Sequence, residues 1–146
     1  MLIVIGIILI LAGLSLFMDL NGYRGDAFRA EVSSLGTALQ TARADALNNI
    51  DEEKHGVAIH PEGYDGYVIF EGENYAARNH SLDVQIQASY EVNISPSSPT
   101  EIVFDQLNGD ALTSTGLNYD GAITFIDPNR AMTAVLLINH EGKISW

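Results

Sequence analysis

Cysteine is absent from this 146-residue sequence, and basic residues are scarce. Without cysteine the chain forms no disulfide bonds and carries no thiolate chemistry, so its fold depends on packing alone. Seven lysines and arginines stand against 19 aspartates and glutamates, which gives a formal net charge of −12. Nucleic acids and anionic lipid headgroups are repelled by such a surface. The composition therefore argues against nucleic acid as a partner.

Signs of catalysis are also missing. There is no G-x-S-x-G turn, and without cysteine the nucleophilic classes of enzyme have little support. His55 and His60 are five residues apart, which places them on opposite faces of a strand, and His80 and His140 lie in predicted loops. All four are expected to be surface histidines rather than metal ligands. The sequence thus predicts no enzyme and no cofactor.

One group of oxygen-bearing side chains resembles a calcium loop. Asp105, Asn108 and Asp110 surround Gly109, and carboxylate and amide oxygens are the ligands that calcium prefers. The spacing lacks the complete loop pattern and its bidentate glutamate. We therefore expect turn-forming side chains and no metal site.

The most distinctive stretch is Met1 to Met18, which contains no ionisable side chain. As a helix it would be about 27 Å long, just short of a hydrocarbon core of about 30 Å. A secretory signal and a single-pass anchor are both compatible with this run. We expect a set of its residues to contact lipid or a filament core: Leu2, Ile3, Ile5, Gly6, Ile8, Leu9, Leu11, Gly13 and Phe17.

Helical periodicity resumes after a polar, glycine-containing stretch at 21–25, where a flexible joint is expected. Apolar residues then recur every three or four positions, which predicts an amphipathic helix ending at Asn48 and Asn49. Its apolar stripe is expected to lie under a sheet, with Glu31 on the polar side. The stripe consists of Phe28, Val32, Leu35, Leu39, Ala42 and Ala46. The boundaries are a hydrophobic segment over 1–25 and a globular domain over 26–146.

From Gly56 onward the periodicity changes from helical to that of strands. Residues 57–59 and 67–70 predict a hairpin, and alternation over 82–94 predicts a strand long enough to bend or to be shared between two sheets. Further strands are expected at 102–104, 122–126 and 134–138. The last is an unbroken apolar run, typical of a central strand covered on both faces. Trp146 is expected to pack after a final hairpin.

In this order the parts resemble a type IV pilin-like protein, most closely the minor pseudopilins of the GspH/FimT kind. The resemblance rests on the apolar start MLIVIGIILI, the helical LQTARADAL at 39–47 and the C-terminal LINHEGKI at 137–144. It implies a prepilin that is inserted in the inner membrane and then built into a filament with other subunits. It also implies a leader and a glutamate before Met1, so no residue here is assigned that glutamate's role.

The predicted fold class is α+β, with a long N-terminal helix packed on an antiparallel sheet or a two-sheet sandwich. The predicted function is a structural subunit, a pilin or minor pseudopilin, of a type IV pilus or type II secretion pseudopilus. A monomeric, membrane-tethered β domain that binds a ligand or carbohydrate is the alternative. The apolar run favours assembly because a helix apolar on all sides is stable in lipid or among like helices.

Overall fold

A long helix and two antiparallel sheets make up the computed structural model of the chain. Its backbone is described for residues 2–95 and 97–146, and its side chains for 3–7, 24–95 and 97–146. Helix α1 (Leu2–Leu47) comes first, and all strands follow it. The α+β class and the long N-terminal helix predicted from the sequence are confirmed.

The described strands form a five-stranded sheet and a four-stranded sheet, in the orders β3-β2-β1-β5-β6 and β4-β7-β8-β9. The pairings between neighbouring strands are antiparallel. The strand bounds are β1 (His55–Ile59), β2 (Gly66–Glu71), β3 (Val84–Gln87), β4 (Asn93–Ile94), β5 (Glu101–Phe104), β6 (Ala111–Leu112), β7 (Gly121–Ile126), β8 (Thr133–Ile138) and β9 (Ile144–Ser145).

Helix α1 ends at the position predicted from Asn48 and Asn49. Leu47 is its last residue, and Asn49 adopts a left-handed conformation with φ 54°, which asparagine tolerates and which stops a helix. The stretch 21–25 is assigned as helix, so the chain does not leave α1 there. The flexibility expected at this joint remains a prediction.

The main core lies between α1 and both sheets. All six positions of the apolar stripe, Phe28 to Ala46, are at most 5% exposed. They pack in one cluster with residues of the first sheet such as Val57, Ile102 and Phe104, and with Ile123, Phe125 and Leu136 of the second. The spacing of three and four residues therefore selects the face of the helix that both sheets cover.

A second, smaller core covers the opposite face of the first sheet. It contains Ala58, Val68, Phe70, Val103 and Leu112. Gly56 makes room for it, because a Cβ atom there would lie 2.5 Å from Cζ of Phe70. The central strands of the first sheet, β1, β2 and β5, are thus buried on both faces, with α1 on one side and the loop that carries Tyr75 on the other.

That covering loop is held by the Arg78 side chain. Its guanidinium lies 3.6 Å from the ring centroid of Tyr75 and donates to the Asp83 carboxylate at 2.9 Å. Both members of the Arg78–Asp83 pair are largely buried, with side chains 12% and 10% exposed. Phe70 and Tyr75 meet edge to face, which seals the outer core.

The stretch 82–94 passes from one sheet to the other. Its first part is β3 at the edge of the first sheet, and its last part is β4 at the edge of the second. Sharing between two sheets was among the expected outcomes. The alternation did not mark a buried face throughout, since Leu82 and Val84 are 45% and 54% exposed.

The prediction that 134–138 is covered on both faces is wrong. In β8, Leu136 and Ile138 are buried, whereas Val135 and Leu137 are 43% and 54% exposed. Strand β8 does lie inside its sheet, between β7 and β9, but only one face of that sheet meets α1. The alternate apolar residues of this run therefore lie on a face of the second sheet that no described residue covers.

Candidate functional site

The start of α1 presents apolar side chains that no described residue covers. Ile3, Val4, Ile5 and Ile7 are 79%, 60%, 51% and 53% exposed. At Gly6 an added Cβ would have no neighbour within 4 Å. Isoleucine and valine side chains favour burial by about 1.5–3 kcal/mol each, so leaving this surface in water is energetically unfavourable.

The other residues predicted to contact lipid or a filament core lie outside the described side chains: Leu2, Ile8, Leu9, Leu11, Gly13 and Phe17. Within the part of the chain that the structure describes, no helix has both the length and the apolar character needed to cross a membrane.

A groove beside α1, here called the Arg29 groove, has a volume of about 470 Å³. One wall is α1 and the other is β8, whose Thr133–Leu136 part pairs with β7 but not with β9. Among the described residues lining the groove, Arg29 is the charged one. The lining includes Phe28, Arg29, Val32, Ser33, Val135 and Trp146.

Trp146 forms one end of the Arg29 groove. Its Cζ3 would lie 3.2 Å from a Cβ built on Gly36, so the ring rests on the helix where α1 has no side chain. The remaining surface of the ring is open, and Trp146 is 61% exposed. The packing expected for this residue therefore involves part of its ring.

A second groove, here called the acidic groove, lies near the C-terminal end of α1 and has a volume of about 180 Å³. Its lining combines three carboxylates and one histidine with apolar side chains: Asp45, Ile50, Asp51, His55, Ile69, Phe70, Glu71, Leu82 and Val84. Partial burial, followed by the nearby Asp51, raises the pKa of Glu71. Carboxylates of like charge are thus held together at this end of the domain.

Glu31 is buried, although sequence reasoning placed it on the polar side of α1 because it lies off the apolar stripe. It is only 1% exposed, and Oε2 accepts hydrogen bonds from Ser89 N at 2.8 Å, Ser89 Oγ at 2.9 Å and Tyr90 N at 3.2 Å. Residues 89 and 90 belong to the crossing between the two sheets. Glu31 therefore fixes that crossing to the helix.

Two neighbours complete this polar cluster. Tyr90 Oη donates to Oδ2 of Asp127, another buried carboxylate, at 3.0 Å. Burial, followed by the proximity of Glu31, raises the pKa of Tyr67, whose hydroxyl makes no hydrogen bond of good geometry with a described residue. The cluster joins the buried carboxylates of Glu31 on α1 and Asp127 just after β7 to the partly exposed crossing at 89–90, which suits a structural role.

The histidines do not converge. His55 is 6% exposed, so the expectation of a surface histidine is wrong there; the central strands of the first sheet are buried on both faces and His55 begins β1. His60 lies 3.5 Å from Asp65, and His80 and His140 are exposed. Among the described residues, no group of three or more metal-ligating side chains could hold an ion.

The calcium-like residues stabilise a turn. Asn108 Nδ2 donates to Asp105 Oδ2 at 3.2 Å, and Asp110 N donates to Asn108 Oδ1 at 3.0 Å. Lys54 Nζ lies 3.5 Å from Asp105 Oδ1. These contacts are those of a turn tied to a lysine.

Comparisons with known proteins identify no relative of this chain. No protein-family model, curated protein or solved structure matches it. The geometry of the described residues is therefore what defines the candidate site. It consists of the uncovered start of α1 and the two grooves of the globular domain, which are the exposed apolar and charged surfaces described above.

Proposed function

We propose that this chain is a non-catalytic structural subunit, a pilin or minor pseudopilin, of a type IV pilus or a type II secretion pseudopilus. Before assembly its N-terminal helix holds it in the inner membrane as a single span. After assembly the same helix lies in the core of a helical filament, which runs in the periplasm or on the cell surface. Its partners are other pilin or pseudopilin subunits, identical or different.

The observation that carries this proposal is the contrast along α1. Ile3 to Ile7 expose apolar side chains that nothing described covers, whereas Phe28 to Ala46 bury their stripe under two sheets. One helix thus belongs to the domain at one end and needs an apolar environment at the other. A bilayer and a bundle of like helices both supply that environment.

The remaining architecture agrees with a pilin fold without requiring it. A helix whose second half packs on antiparallel sheets is what the resemblance in sequence implies, and the apolar run extends over Met1 to Met18. The polar cluster at Glu31 ties α1 to the crossing between the sheets, and Glu31 lines neither of the two grooves. These features favour a role in assembly over a role in catalysis.

The substitution Leu9→Asp in the full chain tests this proposal. A carboxylate near the middle of the apolar run costs about 2.5–3.5 kcal/mol in a bilayer, so the variant should leave the membrane fraction and fail to enter filaments. The matched control Leu9→Ile keeps the apolar character and should behave like the parent chain.

The readouts are membrane fractionation and negative-stain images of sheared cell-surface material probed with an antibody to the chain. Labelled filaments from the parent and from Leu9→Ile, but not from Leu9→Asp, are the expected result. Normal filaments from Leu9→Asp would refute the proposal. A parent chain retained in the membrane as a monomer, with no filaments, would favour the tethered binding domain instead.

A further inference from the structure

The basic residues of this acidic chain differ in how closely they are engaged within the domain. Arg43 donates to the backbone of Gly109 and Glu141, and Lys54 and Arg78 are bound to carboxylates. Arg24 and Arg29 lie instead on exposed positions of α1. Arg29 lines the Arg29 groove, and Arg24 lies just over one helical turn before it. This end of the domain therefore combines positive charge with apolar surface.

Arg29 is available for a partner. Its one described ion pair is with Asp26 at 3.7 Å, and the two side chains are 84% and 79% exposed. A pair this exposed contributes between nothing and about 1 kcal/mol, so a new contact displaces it at little cost. The adjoining apolar surface is open as well, since Val135 and Trp146 are 43% and 61% exposed.

The acidic groove has the complementary properties. Asp45, Asp51 and Glu71 line it together with Ile50, Leu82 and Val84. The three apolar side chains are 44%, 45% and 54% exposed. Repulsion among the carboxylates favours a cation that would neutralise them.

We propose that the Arg29 groove of one copy of this chain binds the acidic groove of the next copy. The Arg29 groove supplies an arginine to the carboxylates of the acidic groove. The exposed apolar side chains of the two grooves would cover each other. The two grooves are different surfaces of the same molecule, so the contact is heterologous and leaves one unused groove at each end. A heterologous contact that does not close into a ring continues as an open, helical assembly.

The positions of the two grooves on α1 agree with this geometry. Ser33 lines the first groove and Asp45 the second, and the 12 residues between them correspond to about 18 Å along the helix and about 120° around it. The two grooves therefore lie at different heights and on different sides of α1, so a contact between them displaces the next copy along the helix axis. The inference names the lateral contact of the filament proposed above and rests on that function only for its setting.

Cross-linking of introduced cysteines tests the contact, since the parent chain has none to interfere. The double variant Ser33→Cys with Leu82→Cys places one thiol in each groove of the full chain. In isolated membranes or filaments, a short bismaleimide should convert it into a ladder of dimers, trimers and longer species on a denaturing gel. Each single variant should remain monomeric.

The matched control moves the second thiol away from the acidic groove. Thr115 is exposed in the turn between β6 and β7, so Ser33→Cys with Thr115→Cys should give no ladder. A ladder of equal strength from this control would refute the contact. Efficient dimers from Ser33→Cys alone would also refute it, because they indicate a symmetric pairing of like grooves.

Charge reversal gives a second, independent readout. In the double-cysteine background, Arg29→Glu should lower the cross-linked fraction by about fivefold, as expected on replacing attraction by repulsion at an interface. Adding Asp45→Arg should restore it, and a cation in the last turns of α1 is itself favourable. Failure of the reversal to restore cross-linking would overturn the pairing.

The outcome is separable from the proposed function. Filaments that form normally but give no ladder reject the contact and keep the filament. A ladder in membranes without filaments in any preparation keeps the contact and rejects the filament. Circular dichroism of each variant shows whether it is folded, and a cysteine pair at Val135 and Ile50 replaces any variant that is not.

Discussion

Glu31 shows how a single residue can reverse the prediction made for its position. A glutamate beside the apolar stripe of an amphipathic helix is expected to face water. Here the backbone of Ser89 and Tyr90 donates to its Oε2, so the side chain is buried with one of its two oxygens hydrogen-bonded. These donors come from a segment 58 residues away in sequence, which no local pattern reveals.

Removing this carboxylate should destabilise the domain. Glu31→Ala removes the acceptor of three part-buried hydrogen bonds, and we expect a loss of about 1–2 kcal/mol in the free energy of unfolding. Glu31→Gln retains an acceptor oxygen and should lose less. Urea unfolding of the full chain in a mild nonionic detergent measures both.

The exposed Gln40 of the same helix provides the control. Gln40→Ala removes a polar side chain that faces solvent, and it should change stability by no more than about 0.5 kcal/mol. An equal effect of Glu31→Ala and Gln40→Ala would mean that the hydrogen bonds of Glu31 contribute nothing measurable.

At the scale of elements, α1 is the part best predicted from sequence. Its stripe from Phe28 to Ala46 follows from periodicity, and its end follows from Asn49. The exception is Gly36, whose missing side chain admits the ring of Trp146. Helix periodicity does not show which residue of a distant strand will lie there.

Gly36→Ala tests how tightly that contact is packed. Alanine is about 1 kcal/mol more favourable than glycine inside a helix, and the added Cβ would lie 3.2 Å from Trp146. Because Trp146 is 61% exposed, it can shift by the few tenths of an ångström required. We expect a gain of about 0.5–1 kcal/mol in stability.

The fluorescence of Trp146, the single tryptophan of the chain, reports the shift directly. Gly36→Leu is the matched variant, because its larger side chain must displace the ring from the helix. It should red-shift the emission, whereas Gly36→Ala should alter it little. A loss of stability in Gly36→Ala would show that the ring cannot move.

The strands were predicted less well than the helix, for a physical reason. The sequence correctly indicates extended backbone in β1, β2 and β7, but neither alternation nor an apolar run indicates which face of a strand is covered. Val84 and Val135 are both apolar and both exposed. Coverage depends on where α1 and the loops lie, which is a property of the tertiary structure.

At the scale of the whole molecule, the net charge of −12 brings carboxylates close together at the acidic groove, and one of them, Glu71, makes stability depend on pH. Burial and nearby Asp51 raise the pKa of Glu71 above its ordinary value of 4.5. The folded protein therefore binds this proton more tightly than the unfolded chain does. This group stabilises the fold at low pH, and its contribution is lost as the pH rises through the raised pKa.

Glu71→Gln should accordingly stabilise the protein at neutral pH, and the gain should disappear as the pH falls below about 4. Thermal unfolding followed by circular dichroism across this pH range measures it. Glu73→Gln, two residues away, is the opposite control, since Glu73 accepts a hydrogen bond from Lys54 at 2.9 Å. Glu73→Gln should give no gain in stability at neutral pH. An equal gain in both variants would mean that the lower net charge, and not the surroundings of Glu71, causes the effect.

The sequence by itself determined the apolar start, the stripe of α1, the end of that helix and most strand positions. All of these depend on local periodicity and turn chemistry, which a single chain displays directly. Only the tertiary structure decided the burial of Glu31 and His55, the division of 82–94 between two sheets and the exposure of β8. The same holds for the two oppositely charged grooves, because each joins residues from distant segments, and contacts at long range depend on how the layers pack.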